Sequence, residues 1–354
     1  MKCLVVQTAY LGDVVLTMPL LGLLRGLPSV RSLVALTTPA GAEFLRGQRA
    51  LDRIMIYDKR GGDSGLGGFL RTVRDVRHCG FGAAVVPHRS FRSALLPLLA
   101  LIPERVGFDE SGGRWLLTEH VPYRSLPHEA ERVASLALSM GATFPEGRLD
   151  FRLRIPEAGV EELALALASS GVSGSEPLIT AAPGSRWATK RWPAERFGTA
   201  LEALCRELGA RPVVTGSRAE RESGRLAAMS AGPGAVDLTG RLSVSGLLAL
   251  AARSELVLSN DSAAAHIAAG VGTPTVTVFG PTVPSQGFAP YSERAVVVQA
   301  RLDCRPCGRH GANRCRRGTL ECMTLVSARD VVDAALELIG ARSRARDPAA
   351  APGT

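Results

Sequence analysis

Short apolar runs alternate with longer helix-favouring segments along most of the chain. In the clearest stretch, Ser254–Thr282, the apolar run ELVLS stops at a polar turn, Asn260–Ser262, and AAAHIAAG and the apolar TPTVTVFG follow. A strand, a turn, a helix and a second strand form the βαβ unit of parallel sheets. The N–H groups at such a helix start can hold a phosphate, although a capped helix without a ligand fits the spacing equally well.

The same alternation occurs twice, first from Cys3 and again from Leu178. This pattern predicts the α/β class, with two Rossmann-like domains whose parallel sheets face a central cleft. We expect an N-terminal domain at 1–155, a helix and linker at 156–176, a C-terminal domain at 177–340 and a disordered tail at 341–354.

Three local patterns give more detailed expectations. A helix is predicted at Val14–Leu24, with a bend or break at Pro19. The glycines of Gly65–Gly68 predict a flexible loop, and His128–Met140 has the pattern of one long amphipathic helix.

Ligands of such sheets bind at the carboxyl ends of the strands, and this rule selects four loops. They are Tyr10–Asp13, Pro87–Ser93, Pro183–Lys190 and Asn260–Ser262. We therefore expect the functional side chains in these loops or directly after them.

Several polar residues in or near these loops have both a chemical and an ordinary interpretation. Asp13 can be a general base or a helix N-cap, and Lys190 can bind a phosphate or be a solvated loop lysine. His266 can contact a ligand or be a hydrogen-bonded core histidine. Glu220 and Glu222 can accept hydrogen bonds from a ribose or simply favour a helix start.

The loop after the fourth predicted strand is basic. In a binding site this run would suit an anionic acceptor, whereas on an open surface it would only be solvated. The residues concerned are His88, Arg89, Ser90 and Arg92.

Composition narrows the partners. The chain has 42 Lys and Arg against 33 Asp and Glu, a net charge of +9, which favours anionic partners. No apolar run is long enough to span a membrane and the N-terminus makes a poor signal peptide, so we expect a cytoplasmic protein. The spacing C-x2-C-x7-C-x6-C allows a structural zinc site or reduced thiols, formed by Cys304, Cys307, Cys315 and Cys322.

Taken together, four stretches resemble the lipopolysaccharide heptosyltransferases of glycosyltransferase family 9, in particular the heptosyltransferase II-like members. They are LGDVVLTMPLLGLLR, VVPHRSFRSALLPLLALIPERVGF, APGSRWATKRWPAERF and NDSAAAHIAAGVGTPTVTVFGPT. The resemblance implies a GT-B fold and an inverting, metal-independent transfer of heptose from ADP-heptose to Kdo-lipid A or heptosyl-Kdo-lipid A, without a cofactor. It also implies transient contact with the inner face of the inner membrane.

Carried over by position, Asp13 is the base, and Lys190 with the helix start after Asp261 binds the diphosphate. Ala263-Ala264-Ala265 departs from the family pattern, which has Gly after Asp-Ser, so the donor pocket differs in its lining. The donor-binding residues implied are Gly12, Ser185, Lys190, Glu220, Glu222, Asn260, Asp261, Ser262, Ala263 and His266.

Three alternatives stay open at this point. The first is a family 9 transferase with another nucleotide sugar or acceptor. The second is a Rossmann-type oxidoreductase. The absence of a GxGxxG motif at the start of a βαβ unit counts against it. The third is a basic nucleic-acid-binding module, and we expect no nucleic-acid partner because aromatic and basic residues do not interleave in the predicted strands.

Overall fold

A computed structural model describes the backbone of residues 1–346 and the side chains of residues 1–340. The disordered tail predicted at 341–354 lies outside the residues with described side chains. The chain forms two compact units, Met1–Arg154 (unit 1) and a second that begins at Ile155 (unit 2).

Unit 1 is a six-stranded parallel sheet with helices in its connections. Its strands are β1 (Lys2–Gln7), β2 (Ser32–Thr37), β3 (Arg53–Ile56), β4 (Ala83–Val86), β5 (Glu104–Phe108) and β6 (Glu119–Val121). Its helices are α1 (Leu11–Val15), α2 (Met18–Arg25), α3 (Pro39–Arg46), α4 (Gly65–His78), α5 (Phe91–Leu99) and α6 (Glu129–Ser135).

Unit 2 repeats this architecture with a second six-stranded parallel sheet. Its strands are β7 (Leu178–Ala182), β8 (Arg211–Val214), β9 (Val236–Asp237), β10 (Ser254–Asn260), β11 (Thr275–Phe279) and β12 (Ala295–Gln299). Its helices are α7 (Glu157–Ala168), α8 (Ala194–Leu208), α9 (Arg221–Ser230), α10 (Val244–Arg253), α11 (Ala263–Gly270), α12 (Glu321–Thr324) and α13 (Ala328–Arg346).

The two sheets have the same strand order. It is β3-β2-β1-β4-β5-β6 in unit 1, and read in the same sense it is β9-β8-β7-β10-β11-β12 in unit 2. In each unit the order reverses between two neighbouring strands, β1 and β4 or β7 and β10, and such a reversal opens a crevice at their carboxyl ends. The α/β fold class predicted from the sequence is confirmed, and the four selected loops follow these four strands.

The cores consist mainly of Leu, Val and Ala, as the low aromatic content requires. The main exception in unit 2 is Trp192, which is fully buried, meets the Phe197 ring edge-on at 4.8 Å and donates from its indole nitrogen to the Val326 carbonyl at 3.0 Å. This anchor fixes the chain directly after the loop that carries Lys190.

Local expectations have mixed outcomes. The break at Pro19 is confirmed, since α1 ends at Val15 and α2 begins at Met18 with this proline in its first turn. The loop expected at Gly65–Gly68 is wrong, because Gly65 begins α4, and Gly68 packs so closely on the Asp63 backbone that a Cβ would clash. The single long helix at His128–Met140 is also wrong, because α6 stops at Ser135 and only a 3-10 turn follows.

Among residues 1–346 no helix combines the length and the apolar character that a membrane crossing needs.

Candidate active site

In unit 2, Asn260 joins the two loops at the strand reversal. Its amide nitrogen donates to the carbonyls of Pro183 (2.7 Å) and Gly184 (3.3 Å), and its amide oxygen accepts from the Trp192 N–H at 3.0 Å. The side chain is fully buried. Asn260, predicted as a donor-binding residue, therefore directs its amide to the protein backbone and shapes the Pro183–Trp192 loop.

Lys190 and Asp261 form an ion pair beside this clamp. The Lys190 Nζ lies 2.5 Å from Asp261 Oδ2, and the two side chains are only 11% and 6% exposed. The same carboxylate oxygen accepts from the Thr282 hydroxyl at 2.7 Å. The structure thus brings together the predicted phosphate-binding lysine and the predicted helix-start aspartate, and it fixes the ammonium in place.

Helix α11 begins next to this pair. Ser262 is extended, with φ −153° and ψ 175°, and its side chain makes no capping hydrogen bond to the first turn that the structure describes. Ser262 and Ala263 are partly exposed, whereas His266 is buried. The first N–H groups of α11 therefore lie at a partly open surface, where a helix terminus favours an anion.

Glu220 and Glu222, which spacing alone could not separate, have different environments. The Glu220 carboxylate accepts from the Ser217 N–H and hydroxyl, both at 2.7 Å, and packs so closely on Gly184 that a Cβ there would clash. Glu222 is 71% exposed and pairs with Arg225 on the surface of α9. Only Glu220 lies against the loop in which Ser185 and Lys190 stand.

In unit 1, Asp13 stands in the first turn of α1 and accepts from the Tyr10 N–H at 3.2 Å. Gly12 precedes it in the same turn, and both residues are partly exposed. The N-cap interpretation of Asp13 is therefore wrong in position, because Tyr10 is the N-cap and Asp13, the third residue of α1, accepts from its N–H. Asp13 stays partly exposed at the crevice between β1 and β4.

His88 lies at the same crevice, directly after β4. Its Nδ1 is 2.9 Å from the Ser93 hydroxyl and 3.1 Å from the Thr8 hydroxyl, and Ser90 caps α5 through the Ser93 N–H. Burial, together with the nearby positive charges of Lys59 and Arg89, lowers the pKa of His88 to about 4. The imidazole is therefore neutral near pH 7.

Arg89 and Arg92, which the sequence left between acceptor binding and simple solvation, are held in defined positions. Arg89 stacks over the Tyr123 ring at 3.6 Å and lies 3.5 Å from Glu110. Arg92 lies 5.1 Å from the centre of the Phe69 ring. Such stacked guanidinium groups are pre-oriented for hydrogen bonding to an anion.

Sequence reasoning missed two further cations at this edge of unit 1. Lys59 Nζ donates to the Thr8 carbonyl at 2.6 Å, and Arg60 donates to the Tyr10 hydroxyl at 2.9 Å. They follow β3, whose carboxyl end was not among the four selected loops. Applying the same strand-end rule to β3 would have found them.

All seven cysteines are free thiols. Within the part of the chain with described side chains, no three or more His, Cys, Asp or Glu residues form a group that could hold a metal ion. Burial and the nearby thiols of Cys304, Cys307 and Cys315 raise the pKa of Cys322, so the four thiols lie near one another without forming such a group, and the zinc interpretation stays a prediction.

The environment of His88 gives a testable pH dependence. The pKa of His88 is about 4 in the folded protein and about 6.5 in the unfolded chain. As the pH falls from about 6.5 towards 4, the unfolded chain binds the proton more readily, so the folded state loses stability. Between pH 7 and pH 5, His88 should contribute a loss on the order of 1–2 kcal/mol in unfolding free energy. His88→Gln should remove this part of the acid sensitivity in urea denaturation, with exposed His78→Gln as the control. An equal acid dependence in wild type and His88→Gln would contradict it.

Both the sequence and the fold of this chain are similar to those of known proteins. The chain is 27% identical over 309 residues to lipopolysaccharide heptosyltransferase 2 of Salmonella typhimurium, covering 84% of this chain and 88% of that protein. It is also 27% identical over 322 residues to lipopolysaccharide heptosyltransferase 1 of Pseudomonas aeruginosa, covering 87% and 86%. The structure of E. coli ADP-heptose LPS heptosyltransferase II has the same fold, with a TM-score of 0.79 and 22% identity over 97% of this chain and 100% of that one. Residues 69–314 match the model of glycosyltransferase family 9 (heptosyltransferase), so the chain is a GT-B glycosyltransferase that belongs to this family.

Proposed function

We propose that this enzyme transfers heptose from ADP-heptose to an anionic inner-core saccharide of lipopolysaccharide, Kdo-lipid A or heptosyl-Kdo-lipid A, with inversion at the anomeric carbon. The observation that carries the proposal is the buried Lys190–Asp261 pair beside the start of α11. A fixed ammonium and a helix N-terminus together provide a site for a diphosphate. The names of the relatives supply the class of donor sugar and acceptor.

The leaving group determines what unit 2 must do. When the bond between the anomeric carbon and the phosphate oxygen breaks, the electron pair stays with ADP and negative charge grows on its terminal phosphate. Lys190 and the first N–H groups of α11 are aimed at that charge before the reaction begins. Preorganised groups of this kind lower the barrier because they need little rearrangement as the charge develops.

Asp13 is the proposed general base. Its carboxylate takes the proton from the acceptor hydroxyl as the hydroxyl oxygen attacks the anomeric carbon on the face opposite ADP, which inverts the configuration. His88 is poorly suited to this role because its side chain is partly buried and its Nδ1 lies within hydrogen-bonding distance of the hydroxyls of Ser93 and Thr8.

The carboxyl edge of unit 1 supports an anionic acceptor. Lys59 and Arg60 follow β3, and Arg89 and Arg92 follow β4, so four cations stand at this edge. The acceptor is anchored in lipid, so the enzyme works at the cytoplasmic face of the inner membrane through transient contact with its surface.

On the donor side, Glu220 is the better placed of the two glutamates to accept hydrogen bonds from the adenosine ribose. It lies against Gly184, whereas Glu222 is engaged by Arg225. A donor with a different sugar on the same nucleotide diphosphate would use the same phosphate and ribose contacts. The Ala263-Ala264-Ala265 lining would therefore affect only which sugar the enzyme accepts.

The base role predicts a specific loss in Asp13→Asn. The amide oxygen can still accept from the Tyr10 N–H, so the start of α1 is preserved while the proton acceptor is lost. The rate constant kcat should fall about 10²- to 10⁴-fold, with the Kd for ADP from calorimetry unchanged. Asp58→Asn, after β3, is the control. Transfer at the wild-type rate would exclude Asp13 as the base.

The phosphate role predicts weaker nucleotide binding in Lys190→Ala. The Kd for ADP should rise at least about tenfold, since a charge-assisted bond contributes about 1.5–3 kcal/mol, while binding of adenosine should not change. This variant leaves Asp261 buried without its partner, so the double variant Lys190→Met/Asp261→Asn tests the same loss with a neutral pair. Arg206→Ala removes one exposed charge as a control. Wild-type ADP affinity in both Lys190 variants would remove the lysine from the phosphate site.

Because Lys190 and α11 supply the positive charge at the diphosphate, we expect transfer without a divalent metal or another cofactor. Initial rates measured after dialysis against EDTA should match those with added magnesium. A strict requirement for magnesium would show that Lys190 and α11 do not suffice to stabilise the charge on the leaving diphosphate, even if Asp13 and Lys190 have their assigned roles.

A further inference from the structure

The Arg305–Ala312 segment of unit 2 contacts the surroundings of both members of the Lys190–Asp261 pair. At its start, the Arg305 guanidinium donates to the Gly280 carbonyl and, at 2.7 Å, to the Thr282 carbonyl, and the Cys307 N–H donates to Pro281 at 2.9 Å. Thr282 in turn donates its hydroxyl to Asp261. This end of the segment therefore fixes the turn that orients the carboxylate.

The other end of the segment is bonded to the lysine loop. The Thr189 N–H and hydroxyl donate to the Ala312 carbonyl at 3.0 and 2.9 Å, and the Ala312 N–H donates to the Thr189 hydroxyl at 2.8 Å. Thr189 is 5% exposed. A buried hydroxyl needs such partners, so these three bonds tie the residue before Lys190 to the segment.

Gly311 brings the segment against the lysine itself. A Cβ built on this glycine would lie 2.5 Å from Trp187 Cβ and 2.9 Å from Lys190 Cγ. Any other residue would have to displace the lysine stem or the segment. The close approach therefore restricts the path that the Lys190 side chain can take.

We propose that the Arg305–Ala312 segment is a positioning element for the donor diphosphate, with Thr189 as a positioning residue that acts through Lys190. The inference rests on the proposed function, because it requires Lys190 to bind the phosphate. A lysine side chain has a flexible four-carbon stem and loses rotamer entropy when it is fixed. The segment removes that freedom before the donor arrives, and the bond to Asp261 sets the end point of the stem.

The decisive variants are Thr189→Val, which removes the hydroxyl at nearly constant volume, and Thr189→Ser, which retains it. Gly311→Ala tests the packing against Lys190, and Gly234→Ala is its control, because a Cβ there meets nothing within 4 Å. Thr189→Val should raise the Kd for ADP about three- to tenfold, the size of one net hydrogen bond. It should lower kcat for transfer from ADP-heptose and leave adenosine binding unchanged, and Thr189→Ser should restore all of these. Gly311→Ala should weaken ADP binding in the same direction.

The outcomes separate this inference from the function on which it rests. If Lys190→Ala weakens ADP binding while Thr189→Val and Gly311→Ala bind ADP like wild type, the positioning role is wrong and the phosphate site stands. If Thr189→Val weakens ADP and adenosine equally, or if its loss of ADP affinity only follows a fall in Tm, the segment is merely structural and the inference fails. If the Lys190 variants bind ADP like wild type, both fail. Should Gly311→Ala not fold, the two Thr189 variants still decide the question.

Discussion

The buried ion pair of Lys190 and Asp261 is the constraint on which the rest of the site in unit 2 depends. Burying two charges is expensive, and a protein recovers that free energy only with close geometry and further hydrogen bonds. Here the 2.5 Å contact and the Thr282 hydroxyl provide both. Because an unpaired partner would be strongly destabilising, the loops that carry these residues have little freedom to separate. Asn260, one position before the aspartate, also links these loops, because its side-chain amide is hydrogen-bonded to the backbone at Pro183 and Trp192.

Unit 1 solves the opposite electrostatic problem. On the proposed function, it has to keep the Asp13 carboxylate able to accept a proton beside several cations. Burial keeps His88 neutral, Arg89 is balanced by Glu110, and Lys59 is bonded to a carbonyl, with burial lowering its pKa. Lys59 and Arg89 therefore have fixed partners in the protein. On the proposed function, the same strand order in both units serves two different chemistries, which the residues at the strand reversals determine.

The sequence predicted the parts that follow from periodicity and from parallel-sheet topology. The βαβ unit from Ser254 to Phe279 and the four loops at the strand reversals are examples. The sequence could not distinguish Glu220 from Glu222, because both stand at the start of one helix and differ only in the direction of their side chains. The structure shows that the Glu220 side chain is the one that contacts Gly184. The sequence also could not place Ala312 on Thr189, a contact between residues 123 positions apart with no periodic pattern to indicate it. The run Gly65–Gly68 was misleading, because Gly68 is required by close packing on Asp63 and not by a flexible loop.

The contacts of Asn260 and Asp261 bear on how the donor is recognised. The amide of the first is directed at the backbone, and one carboxylate oxygen of the second serves Lys190 and Thr282. On the proposed function, diphosphate binding at this turn therefore depends chiefly on the N–H groups of α11 and on the Lys190 ammonium, neither of which distinguishes one diphosphate from another. Ala263, where the family typically has glycine, keeps a backbone N–H at this position and adds a methyl group beside it. On the same proposal, the nucleotide is selected at the neighbouring loop, where Glu220 packs on Gly184, and the sugar by side chains outside the phosphate contacts.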